Sequence, residues 1–185
     1  MNAVAALFEM VPSLARGCHP ILGRRGPWLP LPNVWLLVSC GDQADADKFV
    51  PILRDTPAAI RGVSLEPLLG PIILATRGLD WVICGGESGQ HARPMHPDWA
   101  RALRDQCEAA GLPFFFKQWG EWAPFYYRDD GESQKSFVFD ADSAFRRMTV
   151  HRIGKANAGR LLDGVEHSGF PRRFLPFSQM FGEAV

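Results

Sequence analysis

The chain reads as an α/β protein built on a parallel sheet, and three observations carry that reading. Apolar runs begin near residues 34, 61, 81 and 113, separated by helical or turn signals, and such alternation builds parallel sheets through right-handed crossovers. Polar residues recur where each run stops: Ser39, Asp42 and Gln43; Ser64 and Glu66; Glu87 and Ser88; Lys117 and Gln118. Beyond residue 121 the texture changes to aromatic, turn and strand-like segments, which predicts an antiparallel hairpin layer added to the core.

Residues 1–30 mix glycine, proline and arginine and read as an irregular arm. The run 34–40 (VWLLVSC) is apolar almost throughout, as a strand covered on both faces should be. Asp42 then offers an N-cap, and Ala46, Phe49, Val50 and Leu53 make one helical face that stops before Pro57. A second strand over 61–66 puts Ser64 and Glu66 on one face and Val63 and Leu65 on the other. The connection from Leu68 to Ala75 is too short for a long crossover helix and predicts a turn or a short helix.

The third strand opens the stretch 79–95 (LDWVICGGESGQHARPM) and breaks into Gly85, Gly86, Glu87, Ser88 and Gly89. A helix over 97–110 follows, with Pro97 in its first turn, a stripe of Trp99, Leu103, Cys107 and Ala110, and Gly111 then Pro113 as the stop. The fourth strand, 113–118 (PFFFKQ), ends in Lys117, Gln118 and Trp119. Residues 136–140 and 146–153 predict an antiparallel pair, and residues 174–185 a loosely held tail. The core is thus expected over 31–120 and the aromatic and basic layer over 121–173.

A length of 185 residues suits one sizeable core. Twenty basic residues balance twenty acidic ones, so no global field points to nucleic acid or a membrane surface. No apolar run approaches the roughly 20 residues that span a bilayer, and a soluble cytoplasmic protein is the expectation. Cys18, Cys40, Cys84 and Cys107 are scattered without a CxxC pair, so no metal site is expected from spacing; Cys84 and Cys107 read as buried hydrophobes.

Glu66, Glu87 and Lys117 are the catalytic candidates, since carboxylates and an amine at one sheet mouth shift each other's pKa and serve as acid, base or clamp. Ser39, Gln43, Ser64, Gly85, Gly86, Ser88, Arg93, Gln118 and Trp119 are the substrate-binding candidates around them. GGESG matches neither G-x-G-x-x-G nor the Walker pattern, although its backbone donors suit a carboxylate or phosphate. His96 fits a helix-cap role better than a ligand role, while Arg93 remains open. Trp119, Trp122, Phe125, Tyr126 and Tyr127, with Arg128, Arg146, Arg147, Arg152, Lys155 and Arg160, offer a minority reading as a nucleic-acid surface. The interleaved Asp129, Asp130, Glu132, Asp140 and Asp142 favour a solvated packing layer instead.

Five strings in order, LPNVWLLVSCGDQ, VSLEPLLGPI, WVICGGESGQHARPM, PFFFKQWG and GRLLDGVEHSGFP, resemble the second half of a phage-associated, radical-SAM-like family of uncharacterised proteins. The resemblance covers about residues 31–172 and leaves out residues 1–30. It implies a TIM-like or partial barrel, here a half-barrel of about four parallel strands, and an iron-sulfur cluster with S-adenosylmethionine held by another half of the full-length family. Where that family carries Val-Glu-Asn-Gln, this chain has Cys40, Gly41, Asp42 and Gln43, whereas Glu66, Glu87, Arg93, Lys117, Gln118 and Trp119 keep the pattern.

The expectation is therefore a truncated or split half-barrel supplying substrate-side residues, with no cofactor of its own and no radical chemistry alone. Its open edges call for a partner half in trans, self-association, or shielding by the arm or the hairpin layer. Two alternatives stand beside it: a non-catalytic nucleic-acid or protein interaction module, and a metal-free enzyme using Glu66, Glu87 and Lys117.

Overall fold

The computed structural model describes residues 34–124 and 135–171. The four apolar runs form strands β1 (Trp35–Ser39), β2 (Ile60–Leu65), β3 (Trp81–Gly85) and β4 (Phe114–Gln118). They make one parallel sheet in the order β1-β2-β3-β4. Strand order therefore equals chain order, so each crossover steps to the next neighbour in one direction.

Helix α1 (Gln43–Asp55) joins β1 to β2 and helix α2 (Pro97–Ala109) joins β3 to β4. Asp42 caps α1, its side chain accepting the Asp45 N–H at 3.0 Å, which satisfies a donor the first turn leaves without a partner. Ala46, Val50 and Leu53 turn inward from α1, and Ala100, Leu103 and Cys107 from α2. They meet Val38, Val63, Leu65, Val82, Cys84, Phe114 and Phe116 of the sheet. Full burial of a side chain such as Leu53 or Leu103 stabilises by about 1.5–3 kcal/mol.

The inward stripe of α2 differs from the expected one. Ala110 is the exposed C-cap residue, and Gly111 follows at φ 65 to end the helix. Trp99 is only partly buried and packs edge-on against Phe139 of the second layer. The helix turns Pro97 and Ala100 inward in their place, a rotation set by what covers its flank.

The 66–80 connection holds no helix. Two glutamines satisfy its backbone instead: Gln43 Oε1 accepts the Ile73 N–H at 2.7 Å and Gln106 Oε1 accepts the Leu74 N–H at 2.8 Å. Gln43 Nε2 and Gln106 Nε2 return hydrogen bonds to the Ile73 and Ile72 carbonyls. Side-chain amides thus replace the ladder that a helix would have supplied.

The second layer is a three-stranded antiparallel sheet, β5 (Trp122–Pro124), β7 (Met148–Arg152) and β6 (Ser136–Phe139), in the order β5-β7-β6. The β6/β7 pair is the expected hairpin, and β5 is an additional strand in what read only as an aromatic lead. A short helix α3 (Lys155–Ala158) and a small hairpin, β8 (Leu161–Leu162) with β9 (Val165–Glu166), follow. The hairpin turns at Asp163 (φ 55) and Gly164 (φ 79), a two-residue loop with the Asp-Gly chemistry such turns favour.

The outer edge of β4 is occupied by the chain itself. Phe116 N–H donates to the His167 carbonyl at 3.0 Å, Gly169 N–H donates to the Phe114 carbonyl at 2.9 Å, and Phe115 bridges Ser168 in antiparallel fashion. Trp81 Nε1 ties the same segment down at the Gly169 carbonyl. This is shielding by the C-terminal layer. The N-terminal arm and the tail lie outside the described residues.

Among the described residues no helix is long and apolar enough to cross a membrane.

Candidate functional site

The polar residues at the carboxyl ends of β2, β3 and β4 assemble around Glu66. Lys117 Nζ donates to Glu66 Oε2 at 2.9 Å, and Gln118 Nε2 donates to Glu66 Oε1 at 3.0 Å. The same Gln118 amide reaches Ser88 Oγ at 3.2 Å. Residues Lys117 and Gln118 are consecutive, and on a regular strand they would point to opposite faces. The register explains their convergence: Cys84 pairs with Phe116 but Gly85 pairs with Gln118, leaving Lys117 as the extra residue of a bulge. A bulge re-aims a side chain, and here it brings two donors onto one carboxylate.

Glycines clear the space for this. Gly85 lies directly beneath the Glu66 carboxyl group, so a Cβ there would sit 3.3 Å from Glu66 Cδ. Gly86 and Gly120 face each other's loops: a Cβ on Gly86 would overlap the Trp119 carbonyl, and one on Gly120 the Glu87 carbonyl. The ladder continues between these loops, with Gly86 N–H donating to Gln118 O and Glu121 N–H to Glu87 O, both at 2.9 Å. The Gly89 N–H is taken by Glu121 Oε1 at 3.2 Å. The glycine turn therefore spends these donors on the protein's own backbone and on Glu121, which argues against a phosphate cradle of backbone N–H groups.

Glu87 stands apart from Glu66 and Lys117. Its two oxygens are held by Arg93 Nε and Nη2, each at 2.8 Å, and one also accepts the Arg93 N–H. The Arg93 guanidinium pulls the Glu87 carboxyl down to about 2. A carboxylate so held stays ionised near neutral pH and does not cycle as an acid. Of the three catalytic candidates, the structure brings together Glu66 and Lys117 and gives Glu87 a separate ion pair.

The remaining candidates divide. Ser39 and Ser64 are Cα partners across β1 and β2, and strand alternation places Ser64 on the Glu66 face. Gln43 is occupied in holding Ile73, and its amide also reaches Asp47. Trp119 is buried: its ring packs edge-on against Phe116 in the core, and its indole N–H donates to the Leu161 carbonyl at 2.9 Å. Trp122 is likewise buried, with its N–H on the Ala92 carbonyl. Neither tryptophan presents a free stacking face, and Phe125, Tyr126, Tyr127 and Arg128 lie outside the described residues.

His96 is the cap of α2. Its Nδ1 accepts the Asp98 N–H at 3.0 Å, which leaves Nε2 as the protonated nitrogen, 3.0 Å from the Arg146 carbonyl. Cys84 and Cys107 are fully buried in the core, and Cys40 nearly so. Burial raises all three thiols, Cys40 and Cys107 to about 12. Among the described residues no group of three or more His, Cys, Asp or Glu could hold a metal ion.

A cavity of about 640 Å³ lies at the other end of the sheet, between Ile60, Asp80, Pro113 and Phe170. It shares no residue with the Glu66 cluster and has one carboxylate, Asp80, which already accepts the Arg61 N–H at 2.9 Å. The polar convergence that binding and proton transfer require is at the carboxyl ends.

No curated protein and no solved structure matches the chain. A family model does, over residues 4–171. That stretch begins well before residue 31, so it takes in most of the arm that the five strings leave out. The family's description names no activity, and it shows neither a phage origin nor radical chemistry. The chain belongs to the family described as Protein of unknown function (DUF5131).

Proposed function

We propose that the Glu66 mouth is a ligand-binding centre, with Glu66 as the proton-transfer or clamping group and Lys117 as its cation. The observation that supports this is the convergence of Lys117, Gln118 and, through Gln118, Ser88 on one carboxylate at three neighbouring strand ends. Strand ends of parallel sheets are where α/β proteins place such groups. Glu87 and Arg93 form the rim.

In finer detail, we read the chain as the substrate-side part of a phage-associated, radical-SAM-like protein. The five sequence strings support the kinship, and a sheet whose strand order follows chain order is what a half-barrel would have. The iron-sulfur cluster which that kinship implies does not fit the described residues. Cys84 and Cys107 are buried behind the sheet among the helices, and neither joins a ligand cluster. In this reading the cluster belongs to a partner half that docks along the β1 edge.

The reading is tested by a ligand screen on the full chain, using two-dimensional ¹H–¹⁵N NMR and small probes of four kinds: amines, polyols, carboxylates and phosphates. Saturable shifts gathered at Ser64, Gly85, Ser88, Lys117 and Gln118, and lost in Glu66→Gln or Lys117→Met, support it. Shifts confined to the Asp80 cavity, or none for any probe, overturn it. Anaerobic reconstitution with iron and sulfide tests the finer part, since stoichiometric cluster binding by this chain alone would sink the claim that a partner must supply the cluster.

A further inference from the structure

We propose that the cavity at the amino ends of the strands is a second binding site, and that it takes a small organic cation, an ammonium group on an apolar or aromatic body. The proposal is independent of the Glu66 mouth, with which the cavity shares no residue.

At about 640 Å³ the cavity has the size of an ordinary small-molecule site. The ends of regular elements build it: Ile60 opens β2, Asp80 and Pro113 stand directly before β3 and β4, and Gly111 and Leu112 follow the end of α2. The chain returns along β4 and brings Gly169 and Phe170 to the rim. Ile60, Leu79, Leu112 and Phe170 make the walls apolar, and Asp80 is the one ionisable residue in the lining.

Asp80 is fixed in place yet incompletely used. Its Oδ2 accepts the Arg61 N–H at 2.9 Å, and its own N–H donates to the Arg61 carbonyl at 2.8 Å. The Arg61 guanidinium is engaged elsewhere, with Nε donating to the Thr56 carbonyl at 3.0 Å. Among the described residues the second oxygen, Oδ1, makes no hydrogen bond and Asp80 makes no ion pair. A carboxylate held by backbone, without a cation of its own, is a ready partner for an ammonium group.

Two further features favour positive charge. Helix α2 ends at this cavity after 13 residues, so the negative end of its dipole lies beside it, and no basic residue stands in its last turn to offset that end. Phe170 presents a ring that is 52% exposed, backed by Trp81 and Phe115 at ring-centre distances of 5.0 and 5.2 Å. The negative face of such a ring attracts a cation.

The same features reject the other classes. An anion would meet both Asp80 and the helix end. A neutral apolar molecule would cover the carboxylate without supplying a donor, which costs its hydration. A metal ion needs more ligands than one carboxylate, and among the described residues no cluster of three His, Cys, Asp or Glu could hold one. An ammonium group with an apolar body satisfies Asp80 and the walls together.

The test is a titration of the full chain near neutral pH, at constant ionic strength, followed by two-dimensional NMR. The probes are benzylammonium chloride, benzyl alcohol and sodium benzoate, which share a ring and differ in charge. Benzylammonium should give saturable shifts at Ile60, Asp80, Leu112, Gly169 and Phe170, with benzyl alcohol about tenfold weaker and benzoate without effect. Asp80→Asn, whose amide oxygen can still accept the Arg61 N–H, should weaken benzylammonium about tenfold while leaving benzyl alcohol unchanged.

Equal affinity for the three probes overturns the proposal, and that comparison needs no variant. Unchanged benzylammonium affinity in a folded Asp80→Asn protein overturns it too. Arg172 and Arg173 follow Pro171 in the chain, so competition by the protein's own arginines for Asp80 would appear as no binding of benzylammonium here, which also overturns it. Benzylammonium shifts at Ser64 and Lys117 alone would refute this site and leave the mouth standing. Shifts at Asp80 and Phe170 alone would support it while the reading of the mouth falls.

Discussion

Gln118 Nε2 lies 3.0 Å from Glu66 Oε1 while its chain neighbour Lys117 reaches the other oxygen of the same carboxylate. The bulge that permits this also sets what Gln118 contributes. Replacing it by glutamate puts a second carboxylate against Glu66, and like charges at that separation oppose each other. Gln118→Glu should destabilise the fold by about 1 kcal/mol near neutral pH. The loss should shrink on acidification as the pair takes up a proton. Urea unfolding at neutral and acidic pH checks this; a loss that does not change with pH would show that packing rather than charge holds Gln118.

The glycine pair at the loop crossing gives a sharper stability test. A Cβ at Gly86 overlaps backbone, which cannot move aside as a side-chain tip can. Gly86→Ala and Gly120→Ala should each cost about 3 kcal/mol or prevent folding. Gly70 has open space around it and no left-handed backbone, so Gly70→Ala should stay within about 0.5 kcal/mol of the parent. Equal effects at Gly70 and Gly86 would show that the two loops are not in backbone contact.

The Glu87–Arg93 pair predicts a pH window. The folded-state carboxyl is lowered from 4.5 to about 2, so the pair's contribution is fully present above the upper value and is lost as pH falls through the lower one. Arg93 is 59% exposed and Glu87 25% exposed, so the contribution is small and screened by salt. Arg93→Ala should therefore lower stability near neutral pH and match the parent near pH 2. Unfolding free energies of the two proteins across that range, at low salt, carry the comparison; a difference that widens on acidification would contradict it.

Burial of the core thiols predicts inertness. With Cys18 replaced by serine, a thiol reagent such as Ellman's should find no reactive group at Cys40, Cys84 or Cys107 in the native protein, and three on unfolding. Rapid labelling of Cys84 without unfolding would mean that the helix-covered face of the sheet opens readily.

The parts of this molecule that were legible in the chain are those with local causes. Asp42 before an apolar period of 3.6 marks a helix start whatever surrounds it, and His96 before Pro97 reads as a cap for the same reason. Glu87 is a more instructive case. Its partner Arg93 is only six residues away, yet strand-end reasoning set Glu87 beside Glu66 and Lys117. The backbone curls back so that Arg93 offers both its amide and its guanidinium to Glu87, and no periodicity records a curl. Trp119 and Gln43 belong to the same group: one turns into the core and the other braces a loop.

Periodicity and strand-end polarity, readable residue by residue, determined that there would be parallel strands, two covering helices and a polar rim at one end. Which polar residues would touch was decided by pairing register, and register is a sum over backbone hydrogen bonds between segments tens of residues apart. The bulge at Lys117 is the clearest instance, because one extra residue in β4 turns two opposed side chains into a pair that shares Glu66. Just beyond it the Gly86 and Gly120 loops approach backbone to backbone, a contact that exists only once both strands are in place.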